Sequence, residues 1–194
     1  MDHGSSDTDQ GHIPYGRRLG GGHIGGPWHE GTFIFQTVRT FCGNAGQALL
    51  DAGADVVQIS EPSASTDILA PTDFPIQSGQ FVKDCLGALK GHTILHICGD
   101  SAPIIPYMFD TGVDGISVEE KVPSEKAIEI ANHRGCMVGN VGCAFPLFKG
   151  TPEDVAAAAK RSRYAGFNVI SVGCGVSIGT PDDNIRALVK AIKG

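Results

Sequence analysis

His96 and Cys98 stand two residues apart at the end of an apolar run, His92-Thr-Ile-Leu-His-Ile-Cys98, that reads as a buried strand. Side chains at i and i+2 of a strand share a face, so imidazole and thiol converge while Ile97 points the other way. With Leu95 and Ile97 turned toward helices, His96 and Cys98 face the sheet interior or a barrel axis. A soft thiolate beside an imidazole suits Zn2+, and a third ligand would complete a site with one open position. Cys174, between Gly173 and Gly175 at the end of a later apolar run, is a candidate for that ligand. Its flanking glycines let a metal and a substrate approach the backbone closely. A plainer alternative stands beside this one: a buried cysteine is often only a small hydrophobe, and a strand histidine is often a hydrogen-bonded structural group. Cys42 and Cys85 fall within helical stretches and read as fillers, Cys136 opens a strand away from the reactive end, and Cys143 is a weaker ligand candidate.

The elements that must position these groups follow a regular rhythm from about residue 35. A helix from Phe35 to Ala52 ends at Gly53 and is followed by the strand Ala54-Asp-Val-Val-Gln-Ile-Ser60. A helix over 73–90 precedes the 92–98 strand, and a short helix over 102–111 precedes Gly115-Ile-Ser-Val-Glu119. A helix over 124–133 precedes Cys136-Met-Val-Gly-Asn-Val141. The alanine-rich helix over 152–165, with Pro152 at a first-turn position, precedes Phe167-Asn-Val-Ile-Ser-Val172, and a last helix covers 181–193. Three helix-to-strand joints share one form, Ala-Gly-Ala-Asp at 52–55, Thr-Gly-Val-Asp at 111–114 and Ala-Gly-Phe-Asn at 165–168, with Gly as the left-handed cap. Strands alternating with helices demand parallel pairing, so the fold class is α/β, either a doubly wound sheet or part of a (β/α)8 barrel.

In both architectures the chemistry lies at the carboxyl ends of the strands. Those ends carry Ser60-Glu61-Pro-Ser63-Ala-Ser65, His96-Ile-Cys98-Gly-Asp100, Glu119-Glu120-Lys121, Asn140-Val-Gly-Cys143 and Gly173-Cys174-Gly175. Residues 1–31 differ from the rest: nine glycines, four of the seven histidines and little apolar periodicity mark a flexible N-terminal segment. Gly20-Gly-Gly22-His-Ile-Gly25 fits G-x-G-x-x-G but lacks the strand before it that would make a nucleotide loop.

The 194 residues suit one domain, with hydrophobic residues at 41% and charged residues at 19%. A net charge of −6 argues against a nucleic-acid binder, and no apolar run is long enough for a membrane span. The opening Met1-Asp-His-Gly-Ser-Ser-Asp lacks a secretory pattern, and six widely spaced cysteines read as reduced thiols, so a cytoplasmic location is expected.

His96-x-Cys98-Gly-Asp100 with the distant Cys174 resembles the zinc site of methylcobalamin:coenzyme M methyltransferases of the uroporphyrinogen decarboxylase superfamily. Ala52-Gly-Ala-Asp-Val-Val-Gln-Ile-Ser-Glu-Pro-Ser-Ala-Ser65, Ile116-Ser-Val-Glu-Glu-Lys-Val122 and Gly139-Asn-Val-Gly142 are similar to the same family, and the likeness covers about residues 45–194. The resemblance implies a barrel of the TIM type, here a partial one of about five β/α units over 32–194, where a whole barrel takes about 250 residues. It implies zinc ligation by His96, Cys98 and Cys174. Glu119 or Glu120 would fill the fourth position or support a ligand, with strand alternation favouring Glu119. Glu61, Ser63, Ser65 and Asn140 would contact cofactor or substrate.

The implied reaction moves a methyl group from methylcobalamin or another methylcorrinoid, carried by a corrinoid protein, to a thiol such as coenzyme M. Two alternatives follow from the same family. The chain is a remnant or a subunit completed by another chain, or it decarboxylates a tetrapyrrole. Gly22-His-Ile-Gly-Gly-Pro27 is similar to a family turn, although little helical pattern follows it directly.

Overall fold

The structure, a computed structural model, describes residues 28–193, with side chains from residue 40 onward. Six helices and five strands alternate: α1 (Trp28–Asp51), β1 (Val56–Ser60), α2 (Gln80–Leu86), β2 (His92–Ile97), α3 (Ile105–Phe109), β3 (Gly115–Val118), α4 (Ser124–Ala131), β4 (Cys136–Val141), α5 (Pro152–Ala165), β5 (Val169–Val172) and α6 (Asp182–Lys193). The strands form one parallel sheet in the order β1-β2-β3-β4-β5.

That order decides between the two architectures. A doubly wound sheet reverses its strand order at a switch point, whereas a barrel adds each strand beside the last. Here no reversal occurs, so right-handed crossovers place all the helices on one face. The core confirms this layering. Leu95, Ile97, Ile116, Val118 and Met137 from the strands pack with Phe74, Val82, Ile105, Met108, Phe109 and Ala127 from the connecting segments. Leu95, Ile97, Ile116 and Val118 are fully buried, each contributing about 1.5–3 kcal/mol of transfer free energy. A second cluster, Val141, Leu147, Val155, Ala159 and Leu188, joins the last two units.

The helix joints behave as their sequences predict. Gly53, Gly112 and Gly166 take φ of 102°, 96° and 114°, the left-handed region that glycine occupies without penalty. Asn132 caps α4 in the same conformation, with φ 45°. Thr151 and Asp154 close a reciprocal capping box around Pro152.

Three expectations change. α1 begins at Trp28 rather than Phe35, so a helix does follow Pro27 in the sequence and takes in residues 28–31. The rest of the N-terminal segment, including the glycine run at 20–25, lies outside the described residues. The single helix expected over 73–90 divides into a 3-10 turn (Pro71–Asp73), a π turn (Pro75–Gly79) and α2. Pro75 has no N–H to give to a continuous helical ladder. A further π turn over Cys143–Phe148, containing Pro146, was not anticipated.

Candidate metal centre

The sheet register builds the centre. Ser60, His96, Ser117, Val138 and Val169 are successive partners across the five strands, so they form one row on the face opposite the helices. His96 is 6% exposed in that row. Its Nε2 lies 3.3 Å from Cys98 Sγ, and its Nδ1 lies 3.1 Å from Ser117 Oγ. Cys174 arrives from the end of β5 and places its Sγ 3.5 Å from that of Cys98. The ligand atoms of His96, Cys98 and Cys174 all lie within 4.8 Å of one another.

This donor set fits zinc. Tetrahedral Zn–S and Zn–N bonds of about 2.3 and about 2.0 Å separate two ligand atoms by about 3.5–3.8 Å. The observed spacings of 3.3 and 3.5 Å are near that range. Two thiols and one imidazole, with no fourth protein sulfur or nitrogen in the group, are also the ligand chemistry of a zinc site with an open position.

The surroundings of the cluster favour the protonated thiol at Cys98. Burial, a hydrogen bond with Cys174 and the charges of Cys174 and Glu119 push the Cys98 thiol up to about 12. Burial lowers His96, opposed by a hydrogen bond to the Ser117 backbone and by the Glu119 charge. Cys143 is raised chiefly by burial. Its Sγ accepts the backbone N–H of Cys174 at 3.2 Å, so it braces one member of the cluster from behind.

The other expected residues take four different positions. Glu119 lies close enough to the cluster for its charge to help raise the Cys98 thiol. Glu120 is exposed and turns instead between Gly142 and Gly173. A Cβ at Gly173 would come within 2.7 Å of the Glu120 carboxylate, so the glycine makes room for it. Glu61, Ser63 and Ser65 occupy the loop after β1. The Ser63 hydroxyl donates to the Glu61 carboxylate, and Ser65 packs against Gly99, the neighbour of Cys98.

Asn140 does not join them. Gly139 before it has φ 129°, and the Asn140 side chain enters the helix layer. There it donates to the Val122 carbonyl at 2.7 Å and accepts from Ser124 and Ser162 at 2.8 and 2.9 Å. It lines a crevice of about 280 Å³ between α4 and α5 that none of the three cluster residues borders.

Sequence reasoning missed the ties that hold the strand-end loops together. Thr66 donates to the Asp100 carbonyl, and Lys121 pairs with Asp67 at 2.9 Å, which holds the ammonium above its ordinary range. Both join residues far apart in the chain, and no local spacing marks them.

The fold and cluster together define a parallel β/α protein of the TIM-barrel type, with a His-Cys-Cys set at the carboxyl ends of its strands. The uroporphyrinogen decarboxylase (URO-D) family model matches residues 31–194, and the chain belongs to that family. It is 37% identical over 149 residues to the methylcobamide:CoM methyltransferase MtaA of Methanosarcina barkeri, covering 74% of this chain and 43% of that protein. It is 31% identical over 183 residues to the methylcobamide:CoM methyltransferase MtbA of Methanosarcina acetivorans, covering 88% of this chain and 54% of that protein. Among solved structures, a methyltransferase from Methanosarcina mazei superposes with a TM-score of 0.76 at 35% identity, covering 80% of this chain and 46% of that one. The chain thus spans about half the length of these relatives. Among the described residues no helix is long and apolar enough to cross a membrane.

Proposed function

We propose that this chain is the metal-bearing part of a zinc-dependent methyltransferase that moves a methyl group from a methylcorrinoid to a thiol such as coenzyme M. The observation that carries the reading is the convergence of His96, Cys98 and Cys174 within 4.8 Å at the strand ends. The relatives named for methylcobamide and CoM support the substrate classes. When bound, Zn2+ would supply the charge that keeps the acceptor sulfur deprotonated at neutral pH.

The chain's own residues do the rest. His96 Nε2 and the two cysteine sulfurs would hold the metal, and the pair of thiolates would leave the acceptor electron-rich. Glu119, whose charge is felt at the Cys98 thiol, would take the fourth position while substrate is away or support a ligand. Glu61, Ser63 and Ser65 face the approaching donor from the loop after β1. The transfer would form a carbon–sulfur bond as the carbon–cobalt bond of the methyl donor breaks, with that bond's electron pair left on the donor. A His-Cys-Cys set favours this reaction over decarboxylation of a tetrapyrrole carboxylate, which has no use for paired thiolates.

The expected result for the purified full chain is about one zinc per chain by elemental analysis. Methylcobalamin would lose its methyl–cobalt absorbance only when coenzyme M is added. Cys98→Ala should abolish both signals, and equal zinc uptake by that variant and the parent would sink the assignment. A second reading has its own support: among the described residues, β1 and β5 each pair on one side only. Zinc uptake without turnover would favour it, with another chain completing the barrel before a corrinoid protein can dock.

A further inference from the structure

We propose that Cys98 and Cys174 are a reversible redox pair: in the metal-free chain a small organic disulfide joins their two sulfurs, and the joined form takes up no zinc until a thiol reduces it. The pairing rests on where the sulfurs lie, and its effect on zinc rests on the reading above.

Cys98 and Cys174 are 76 residues apart in the chain, and the sheet brings their sulfurs to 3.5 Å. A disulfide bond is about 2.05 Å long, so the sulfurs must approach by about 1.5 Å. Neither cysteine is held inside a strand, since β2 ends at Ile97 and β5 at Val172. Rotation about a Cα–Cβ bond moves a sulfur further than that approach requires. The chain beside Cys174 has room as well, because a Cβ at Gly175 would meet nothing within 4 Å. Both cysteines are partly exposed, so a small molecule can reach them. A third sulfur lies near, but Cys143 meets the main chain of Cys174, accepting its N–H at 3.2 Å, while the Cys174 sulfur turns to Cys98.

The exchange balances without a further reagent. One cysteine sulfur, as thiolate, attacks a sulfur of the small disulfide, whose bond breaks to release one thiol and leave a mixed disulfide on the protein. The other cysteine sulfur attacks the protein side of that bond and expels the second thiol. Two cysteines are oxidised, one disulfide is reduced, and the cysteine protons end on the released thiols. Excess thiol runs both steps backward. Joined sulfurs have no thiolate to give a metal, which leaves His96 alone of the three ligands. The centre thus closes and opens with the ratio of disulfide to thiol around it, and an acceptor thiol keeps its own site reduced.

The test treats the full chain, stripped of metal by a chelator and kept from oxygen, with hydroxyethyl disulfide. The intact mass should fall by two hydrogens, and two fewer thiols should react with a chromogenic reagent. Proteolytic fragments holding Cys98 and Cys174 should be joined. Zinc uptake should be lost and should return after dithiothreitol. Stable mixed disulfides at Cys98 and Cys174 with no link between them would overturn the proposal, as would a link from either one to Cys143. So would a joined chain that binds zinc as the reduced chain does. A reduced chain that takes up no zinc but joins Cys98 to Cys174 would uphold the pairing and overturn the zinc reading.

Discussion

Cys98 carries the clearest signature of the centre at the scale of a single residue. Its thiol is pushed up to about 12 in the metal-free fold, from an ordinary 9.0, by burial first and by Cys174 and Glu119 after it. In the unfolded chain the same thiol ionises near its ordinary value. Between about pH 9 and 12 the unfolded state therefore sheds a proton that the folded state keeps, and stability falls as pH rises through that window. Below it the contribution is fully present. Cys136 and Cys143, also raised by burial, act in the same direction. The urea midpoint of the metal-free chain should fall with pH over this range, and less steeply in Cys98→Ala. Equal slopes would refute the burial argument. Zinc reverses the relation, since a bound thiolate has no proton to keep, and metal affinity should instead weaken as pH falls. At this scale the sequence was informative where strand alternation governs: His96, Cys98, Ser117 and Glu119 lie on the face that period two assigns them. It was uninformative for Cys143, whose hydrogen bond to the Cys174 backbone depends on how two loops pack.

Asn140 marks where that alternation stops being a guide to an element. The strand β4 reads as regular, and period two would turn Asn140 to the same face as Val138. The side chain instead enters the helix layer, and the preceding Gly139 has a φ of 129°, open to glycine and strained for other residues. A Cβ there would also come within 2.6 Å of the Val118 carbonyl oxygen. The side chain of Asn140 becomes a clamp joining β4 to the start of α4, through Ser124 and Val122, and to α5 through Ser162. Replacing it by alanine leaves the buried Val122 carbonyl and the Ser124 hydroxyl without this partner, at about 1–3 kcal/mol for each buried group left unpaired. Asn140→Ala should therefore lower unfolding stability by more than about 2 kcal/mol in urea titration. Zinc stoichiometry should be unchanged, because the residue borders a crevice apart from the cluster. Loss of zinc from a folded Asn140→Ala would return the residue to the site. The glycine-capped joints, by contrast, were legible beforehand, since the sequence there states a conformational need that only one residue type meets cheaply.

The whole molecule raises a different question, because a sheet that adds strands in order closes only when its two edges meet. Alternating elements make the parallel pairing readable but leave the order β1-β2-β3-β4-β5 open between two architectures, and the fate of the edges is not readable either, since pairing across a closed barrel leaves no mark on either strand. Among the described residues β1 and β5 pair on one side, so each presents a row of backbone groups to a further strand. Val56 and Val169, on the face opposite the helices, are 44% and 47% exposed at these two edges. Uncovered edges with apolar side chains favour pairing with another chain. Sedimentation velocity on the purified chain should therefore give a mass that rises above the monomer with concentration. Val169→Lys should reduce that rise, since a lysine on an edge strand must lose its hydration to be buried in a new pairing. The substitution lies at β5, whereas the metal ligands come from β2 and the loop after β5, so zinc content should hold. A strictly monomeric chain at all concentrations would mean that the edges are already satisfied within it. A concentration-dependent mass that Val169→Lys leaves untouched would move the contact away from β5.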